Sequence, residues 1–283
     1  MECNLSLITG HRLSDKTQQA PVFLSNVLPR EFEQIRSIKM VFTISPGRSG
    51  TGYLSQALRL LSYNCYHEPE PKFSDVMREV QSDQTLAYEF WVRKKIPFIL
   101  ANSATPEYIE TSHLFCKGFA EALLGLGLVS DIVVLRRPRR EVATSLYQLD
   151  TIPARTDLGL RFLLSPTDPG VLPLPNWAEC HDYQLCYWYC LEIERRMRVY
   201  KDLFSQSGAK VFETSLGAVT TPDGIAQLIS ALAIRPPSDS AWKKYMDEFH
   251  EKINTKSESK RALKLDPNEL DSLEKEIDEM TRG

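Results

Sequence analysis

Apolar residues recur along this chain in two alternating patterns. Lys39–Ser45 reads as a short apolar strand, and in Asp131-Ile-Val-Val-Leu135 every position after the first is apolar, the pattern of a parallel strand buried on both faces. Elsewhere apolar residues fall at threes and fours and predict helices: Tyr53, Leu54, Ala57, Leu58 and Leu61, then Val142, Leu146 and Leu149. A longer stripe, Tyr183, Tyr187, Cys190, Ile193, Met197, Tyr200 and Phe204, predicts a helix whose aromatics pack against a core rather than hold a cofactor. Shorter strands are predicted at Tyr63–His67, Ile96–Leu100 and Lys210–Glu213. Residues 108–115 read as the approach to a helix over 117–128, and Thr221-Pro222-Asp223 starts a helix through Leu232. An acidic amphipathic helix through Leu270, Leu273, Ile277 and Met280 closes the chain. Strands alternating with helices predict an α/β fold of three layers, α/β/α, around a central parallel sheet.

At 283 residues, 42% hydrophobic and 25% charged, the chain suits one domain over 1–283 better than two. Residues 1–36 are weakly periodic, interrupted by Pro21 and Pro29, and read as an N-terminal arm or cap. Five prolines (Pro153, Pro166, Pro169, Pro173 and Pro175) make 151–180 read as a long loop or lid rather than core, placed to cover an acceptor.

A formal net charge of −3 gives no general affinity for nucleic acid or an anionic membrane, so any polyanion must meet a local basic patch. No apolar stretch approaches the ~20 residues of a membrane span. Met1-Glu-Cys-Asn-Leu-Ser6 lacks the basic and apolar regions of a secretory signal. A soluble, cytoplasmic protein with neither a nucleic-acid partner nor a membrane span is the expectation. The six cysteines, Cys3, Cys65, Cys116, Cys180, Cys186 and Cys190, include no C-x-x-C pair. Cys186 and Cys190 lie one helical turn apart, and buried apolar residues in a reducing compartment are the expectation for all six.

Chemistry concentrates where the first strand ends. Ser45-Pro-Gly47-Arg48-Ser49-Gly50-Thr51-Gly52-Tyr53 runs from strand to helix through three glycines, which let backbone N–H groups turn toward an oxyanion at the positive end of the helix. Arg48, Ser49 and Thr51 add side-chain donors. The nucleotide-hydrolase consensus instead ends G-K-[ST], with the hydroxyl on magnesium. No Gly-Lys-Ser/Thr occurs in the chain, so a phosphate held without an obligatory metal is expected, in a fold of the phosphate-loop nucleotide-binding type.

A second cationic cluster, Arg136-Arg137-Pro138-Arg139-Arg140, leaves the strongest strand, with Ser145 on the helix beyond. Arginine binds phosphate through a planar fork that lysine cannot reproduce. Arg136 and Arg137 emerge beside the first loop and read as functional, whereas Arg139 and Arg140 read as a solvated turn. Two anion sites on neighbouring strand ends fit one ligand with two separate phosphates.

Here the chain resembles a known family. Ser45-Pro-Gly-Arg48-Ser-Gly-Thr51-Gly-Tyr-Leu54 is similar to the 5′-phosphosulfate loop of the sulfotransferases that use 3′-phosphoadenosine 5′-phosphosulfate (PAPS). Val133-Val-Leu-Arg136-Arg137-Pro-Arg-Arg-Glu-Val-Ala-Thr-Ser145-Leu is similar to their 3′-phosphate motif. Val211-Phe-Glu-Thr214-Ser-Leu resembles the later strand and turn whose threonine or serine lies near the adenine. The basic stretch with Lys256 stands where the family closes over the nucleotide. The resemblance spans about 39–265 and implies metal-free transfer of a sulfuryl group from PAPS, the co-substrate, to a hydroxyl or amine. Gly47, Arg48, Ser49, Gly50, Thr51, Gly52, Tyr53, Arg136, Arg137, Ser145, Thr214 and Lys256 are its implied nucleotide residues. Two departures bear on it. Cytosolic members carry lysine in the first loop where Arg48 stands, as in carbohydrate and tyrosyl-protein members, and the Pro138–Ser145 spacing is one residue longer than is common, leaving Arg136 and Arg137 as alternatives for the 3′-phosphate.

Sulfuryl transfer needs in-line geometry, charge stabilisation at the leaving oxygen and a base for the nucleophile. Arg48 stands to stabilise the leaving oxygen. Members with arginine in the first loop carry a glutamate base in the loop that Glu68-Pro69-Glu70-Pro71 occupies here, which implies Glu68. His67 is an alternative, because an imidazole titrates near neutral pH. So is His113, because Glu110-Thr-Ser-His113-Leu is similar to the Lys-Thr-His-Leu segment of cytosolic members, without its lysine. The expected acceptor is a small molecule, apolar or cationic given the aromatics near Trp177–Trp188, such as a secondary metabolite, lipid or toxin. A phosphate-loop kinase of a nucleotide or small molecule is the alternative enzyme, and a non-catalytic nucleotide-binding protein the alternative of another class.

Overall fold

The computed structural model describes residues 29–103, 105–248 and 265–282. Five strands form one sheet: β1 (Lys39–Ile44), β2 (Cys65–Tyr66), β3 (Glu107–Glu110), β4 (Asp131–Arg136) and β5 (Val211–Ser215), in the order β2-β3-β1-β4-β5. Every pairing is parallel. The chain is therefore α/β with an all-parallel sheet between helical layers, as the alternating pattern predicts.

Strand alternation divides the core in two. Met40, Phe42 and Ile44 of β1, with Ile132 and Val134 of β4, face one apolar cluster, while Val41, Val133 and Leu135 face the other. The first cluster takes α1 (Pro29–Ser37), α6 (Phe119–Gly125), α7 (Arg139–Gln148), the long α9 (Asp182–Gln206) and α13 (Pro267–Met280). The second takes α2 (Thr51–Leu60), α11 (Pro222–Leu232) and α12 (Asp239–Glu248). Phe42 stacks on Phe115 with ring centroids 4.5 Å apart, and burying a ring of that size contributes about 1.5–3 kcal/mol. The aromatic stripe of α9 is buried along its length and packs.

Two expectations are corrected. Ile96–Leu100 is not a strand but most of α5 (Ile96–Ala101), which continues α4 (Thr85–Phe90) through a π-helical turn, Trp91–Lys95; Pro97, which has no N–H to give to the preceding turn, follows directly on that change of helical bonding. The fifth strand is β3, within the segment read as an approach to a helix. Of the expected N-terminal arm or cap, residues 1–28 lie outside the described residues; in α1, Phe32 and Ile35 pack on the main core.

The 151–180 segment holds α8 (Asp157–Phe162) and buries Ile152, Leu163, Leu164 and Leu174 in the core, so it is packed into the fold rather than laid over it. Arg139 and Arg140 do not form a solvated turn. Arg139 pairs with Glu194 and Asp278, and Arg140 with Asp271 and Glu274, clamping α7 to α9 and α13. All five described cysteines are free and buried. Among the described residues no helix is long and apolar enough to cross a membrane.

Candidate active site at the C-terminal edge of the sheet

All five strands are parallel, so the segments that leave them share one edge of the sheet, where such folds bind ligands. Their order follows the strand order: Glu68 after β2, His113 after β3, the glycine loop after β1, Arg137 and Ser145 after β4, and Thr214 within the end of β5. Residues far apart in sequence thus form one row, with the glycine loop in its middle.

In the loop, Gly50 adopts φ +93° and precedes the first turn of α2. The positive φ is what calls for glycine here; a Cβ would also stand 2.4 Å from Leu216 Cδ1 of α10 (Leu216–Val219), the tip of a side chain that would have to move aside. Arg48 also has a left-handed backbone, φ 66°, as does Glu68 at φ 49°; each costs of order 1 kcal/mol, which the surrounding structure must offset. The hydroxyls of Ser45 and Ser49 are buried without a hydrogen-bond partner. Buried polar atoms of this kind are rare unless a ligand or water completes them.

The second anion motif meets the loop directly. Arg48 Nε donates to Ser145 Oγ at 3.2 Å, and Arg137 Nη1 donates to the Arg48 carbonyl at 2.8 Å. Arg137 also pairs with Glu141 one turn along α7. Arg136 turns away to Glu213 of β5 and to Met197, although both arginines border a cleft of about 270 Å³ beside Pro46. The structure therefore brings Arg137, not Arg136, to the loop. Thr214 is half-buried, in register with Leu135. Tyr53 meets Tyr245 of α12, and burial pushes its phenol up. Lys256 lies outside the described residues.

On the other side of the loop stand the residues read as alternative bases. His113 Nε2 is 3.4 Å from Glu68 Oε1, and both side chains are largely buried. The His113 ring lies against Gly47, where a Cβ would stand 3.4 Å from Nδ1, so glycine allows the close approach. Lys117, one turn further on, places Nζ 3.0 Å from His113 Nδ1 and donates to the Phe162 carbonyl of the 151–180 segment. While Lys117 is charged its Nζ can only donate, so His113 Nδ1 accepts and the ring proton sits on Nε2, toward Glu68. Burial first, and the Lys117 charge second, hold His113 well below its ordinary pKa, so it is neutral near pH 7. Burial brings Lys117 down to about 7. Its Nζ also lies 5.0 Å from the centre of the Tyr189 ring, whose hydroxyl accepts from the Gly47 N–H at 3.3 Å.

His67 behaves differently. Its Nδ1 donates to the Thr111 carbonyl at 2.7 Å, and the residue is exposed. Glu70 pairs with Lys72 at the surface.

Sequence reasoning missed the supports of this site. Lys95 Nζ sits 3.2 Å from both oxygens of Glu110 and donates to the Pro71 carbonyl at 2.8 Å, tying the loop of Glu68 to β3, while Tyr108 donates to Glu110 at 2.6 Å. Burial pushes Glu110 up and Lys95 down. Arg196, paired with buried Glu192, donates to the Cys116 carbonyl, and Thr43 Oγ1 donates to the Ser112 carbonyl. These bonds fix the turn that carries His113 and Lys117. Only Lys117, four residues past His113 and so on the same side of a helical turn, gave a readable signal. No family model matches the chain, and no curated protein matches it.

Proposed function

We propose that this protein is a sulfotransferase that moves the sulfuryl group of PAPS to a hydroxyl or amine of a small-molecule acceptor. The observation that carries the reading is the meeting of the two anion motifs at Arg48. The Arg48–Ser145 and Arg137–Arg48 bonds join them into one site, and the Glu68–His113 pair stands on the opposite side of the same loop. The unpartnered Ser45 and Ser49 hydroxyls and the left-handed loop fit an oxyanion there.

In this reading the Gly47–Thr51 amides and Ser49 hold the 5′ end of the nucleotide, Arg137 and Ser145 its 3′-phosphate, and Thr214 lies toward the adenine. PAPS supplies an activated sulfur–oxygen bond, which breaks as the acceptor oxygen or nitrogen bonds to sulfur. Arg48 offsets the charge that collects on the leaving phosphate oxygen. Glu68 takes the acceptor proton. His113 cannot take it through Nε2, which already carries one, so it positions the carboxylate and Lys117 holds its tautomer. We place the protein in the cytoplasm, where free thiols such as its buried cysteines persist.

The test is to incubate the protein with PAPS in EDTA and follow adenosine 3′,5′-bisphosphate by mass spectrometry. Release above the protein-free rate that requires Arg48 is expected. Magnesium-dependent ADP formation from ATP, with no bisphosphate from PAPS, would replace the reading with a kinase.

A further inference from the structure

Gly52, Ser55, Gln56 and Arg59 fall at i, i+3, i+4 and i+7 of α2 and form its polar face, opposite Leu54, Ala57 and Leu58. That face borders a pocket of about 460 Å³, closed by His67 from the end of β2 and by Lys244 from α12. A space of this size takes a sugar- or amino-acid-sized molecule.

Its charge is one-sided. Among the described residues the lining holds two cations and a histidine but no carboxylate. This is unusual here, because the chain has more acids than bases and Arg136, Arg137, Arg139 and Arg140 all pair with carboxylates. Among the described residues neither Arg59 nor Lys244 has an ion-pair partner. The pocket also touches the site at both ends: Gly52 follows Thr51 of the glycine loop, and His67 precedes Glu68.

We infer that this pocket binds a compact oxyanion, a carboxylate or a phosphate or sulfate ester, carried by the acceptor, with Arg59 and Lys244 as its counter-charges. Describing the ligand as an acceptor rests on the sulfotransferase reading; the anion preference does not. The anion seats between α2 and α12 while the nucleophile of the same molecule reaches Glu68, one residue beyond His67. His67, fixed by the bond of its Nδ1 to the Thr111 carbonyl, forms the wall of the pocket nearest Glu68. This replaces the apolar or cationic acceptor expected from the aromatics near Trp177–Trp188, since Trp188 and Tyr183 are fully buried in the core.

Four probes with one phenol ring test it by calorimetry: 4-hydroxyphenylacetate, 4-hydroxyphenyl phosphate, the methyl ester of the first, and tyramine. Each is titrated into the protein both free and saturated with adenosine 3′,5′-bisphosphate. At least one anion should bind tenfold or more tightly than the ester and tyramine, and the tighter anion identifies the group. Arg59→Ala combined with Lys244→Ala, both on exposed positions, should erase that preference and leave bisphosphate affinity within twofold, while Arg59→Lys keeps the preference. Equal affinity for all four probes, no measurable anion binding, or a preference that survives the double substitution would overturn the inference. Failure of the bisphosphate itself to bind would instead count against the sulfotransferase reading, and the probe ranking on the free protein would still read the pocket.

Discussion

Nε2 of His113 stands 3.4 Å from Oε1 of Glu68, so two residues that the sequence offers as alternative bases form one unit. Lys117 on Nδ1 decides the roles within it, because a charged lysine only donates and the ring then carries its proton on the Glu68 side. Glu68→Gln should cut turnover of PAPS by about 10²–10⁴-fold, the usual contribution of a general base, with bisphosphate affinity kept. Steady-state kinetics beside calorimetry would show it, and near-normal turnover would remove Glu68 as base.

Arg137 reaches the loop and Arg136 does not. Arg137→Ala should weaken nucleotides that bear a 3′-phosphate by about 10–100-fold, the size of a lost charge-assisted hydrogen bond, while adenosine 5′-monophosphate changes little. Arg136→Ala loses a half-exposed pair with Glu213, worth about 0–1 kcal/mol, and should leave both affinities alone. Equal losses for the two nucleotides on Arg137→Ala would undo the assignment.

Gly50 faces both a left-handed backbone and the Leu216 side chain. Gly50→Ala should lower stability by about 1–3 kcal/mol and weaken nucleotide binding. Adding Leu216→Ala relieves the contact but not the dihedral, so thermal melts should show partial recovery. An unchanged melting temperature in the single variant would mean that the loop has another conformation.

Lys117 carries a pH signature. Its pKa falls from 10.5 in the unfolded chain to about 7 in the fold. Below pH 7 it is charged in both states and the cost of burying that charge is present in full. From 7 to 10.5 the unfolded chain binds a proton that the native state lacks, so stability rises with pH. Relative to Lys117→Met, the wild type should gain up to about 1.4 kcal/mol per pH unit between pH 7.5 and 9.5, read by urea unfolding. A flat difference would show that Lys117 stays charged in the fold.

What could be read in the sequence was what local pattern encodes. The apolar runs of β1 and β4, the α9 stripe, and the Thr221 cap with Pro222 all appear where their residues put them. β3 was hidden because Glu107 and Glu110 interrupt its apolar pattern, and Glu110 is buried only because Lys95, fifteen residues earlier, meets it. Ile96–Leu100 misled because a short apolar run fits a buried helix segment as well as a strand. At the site the loop and the arginines could be read, since each motif is contiguous. The His113–Lys117–Glu68 arrangement could not, because it depends on β3 lying between β1 and β2.

The central claim is a single metal-free site for a nucleotide with phosphates at both ends of its ribose. Calorimetric titration of the protein with adenosine 3′,5′-bisphosphate in EDTA, beside adenosine 5′-monophosphate and ATP, tests it most directly. Micromolar binding that depends on the 3′-phosphate is the expected result. No binding, or tighter ATP binding that needs magnesium, would contradict the claim.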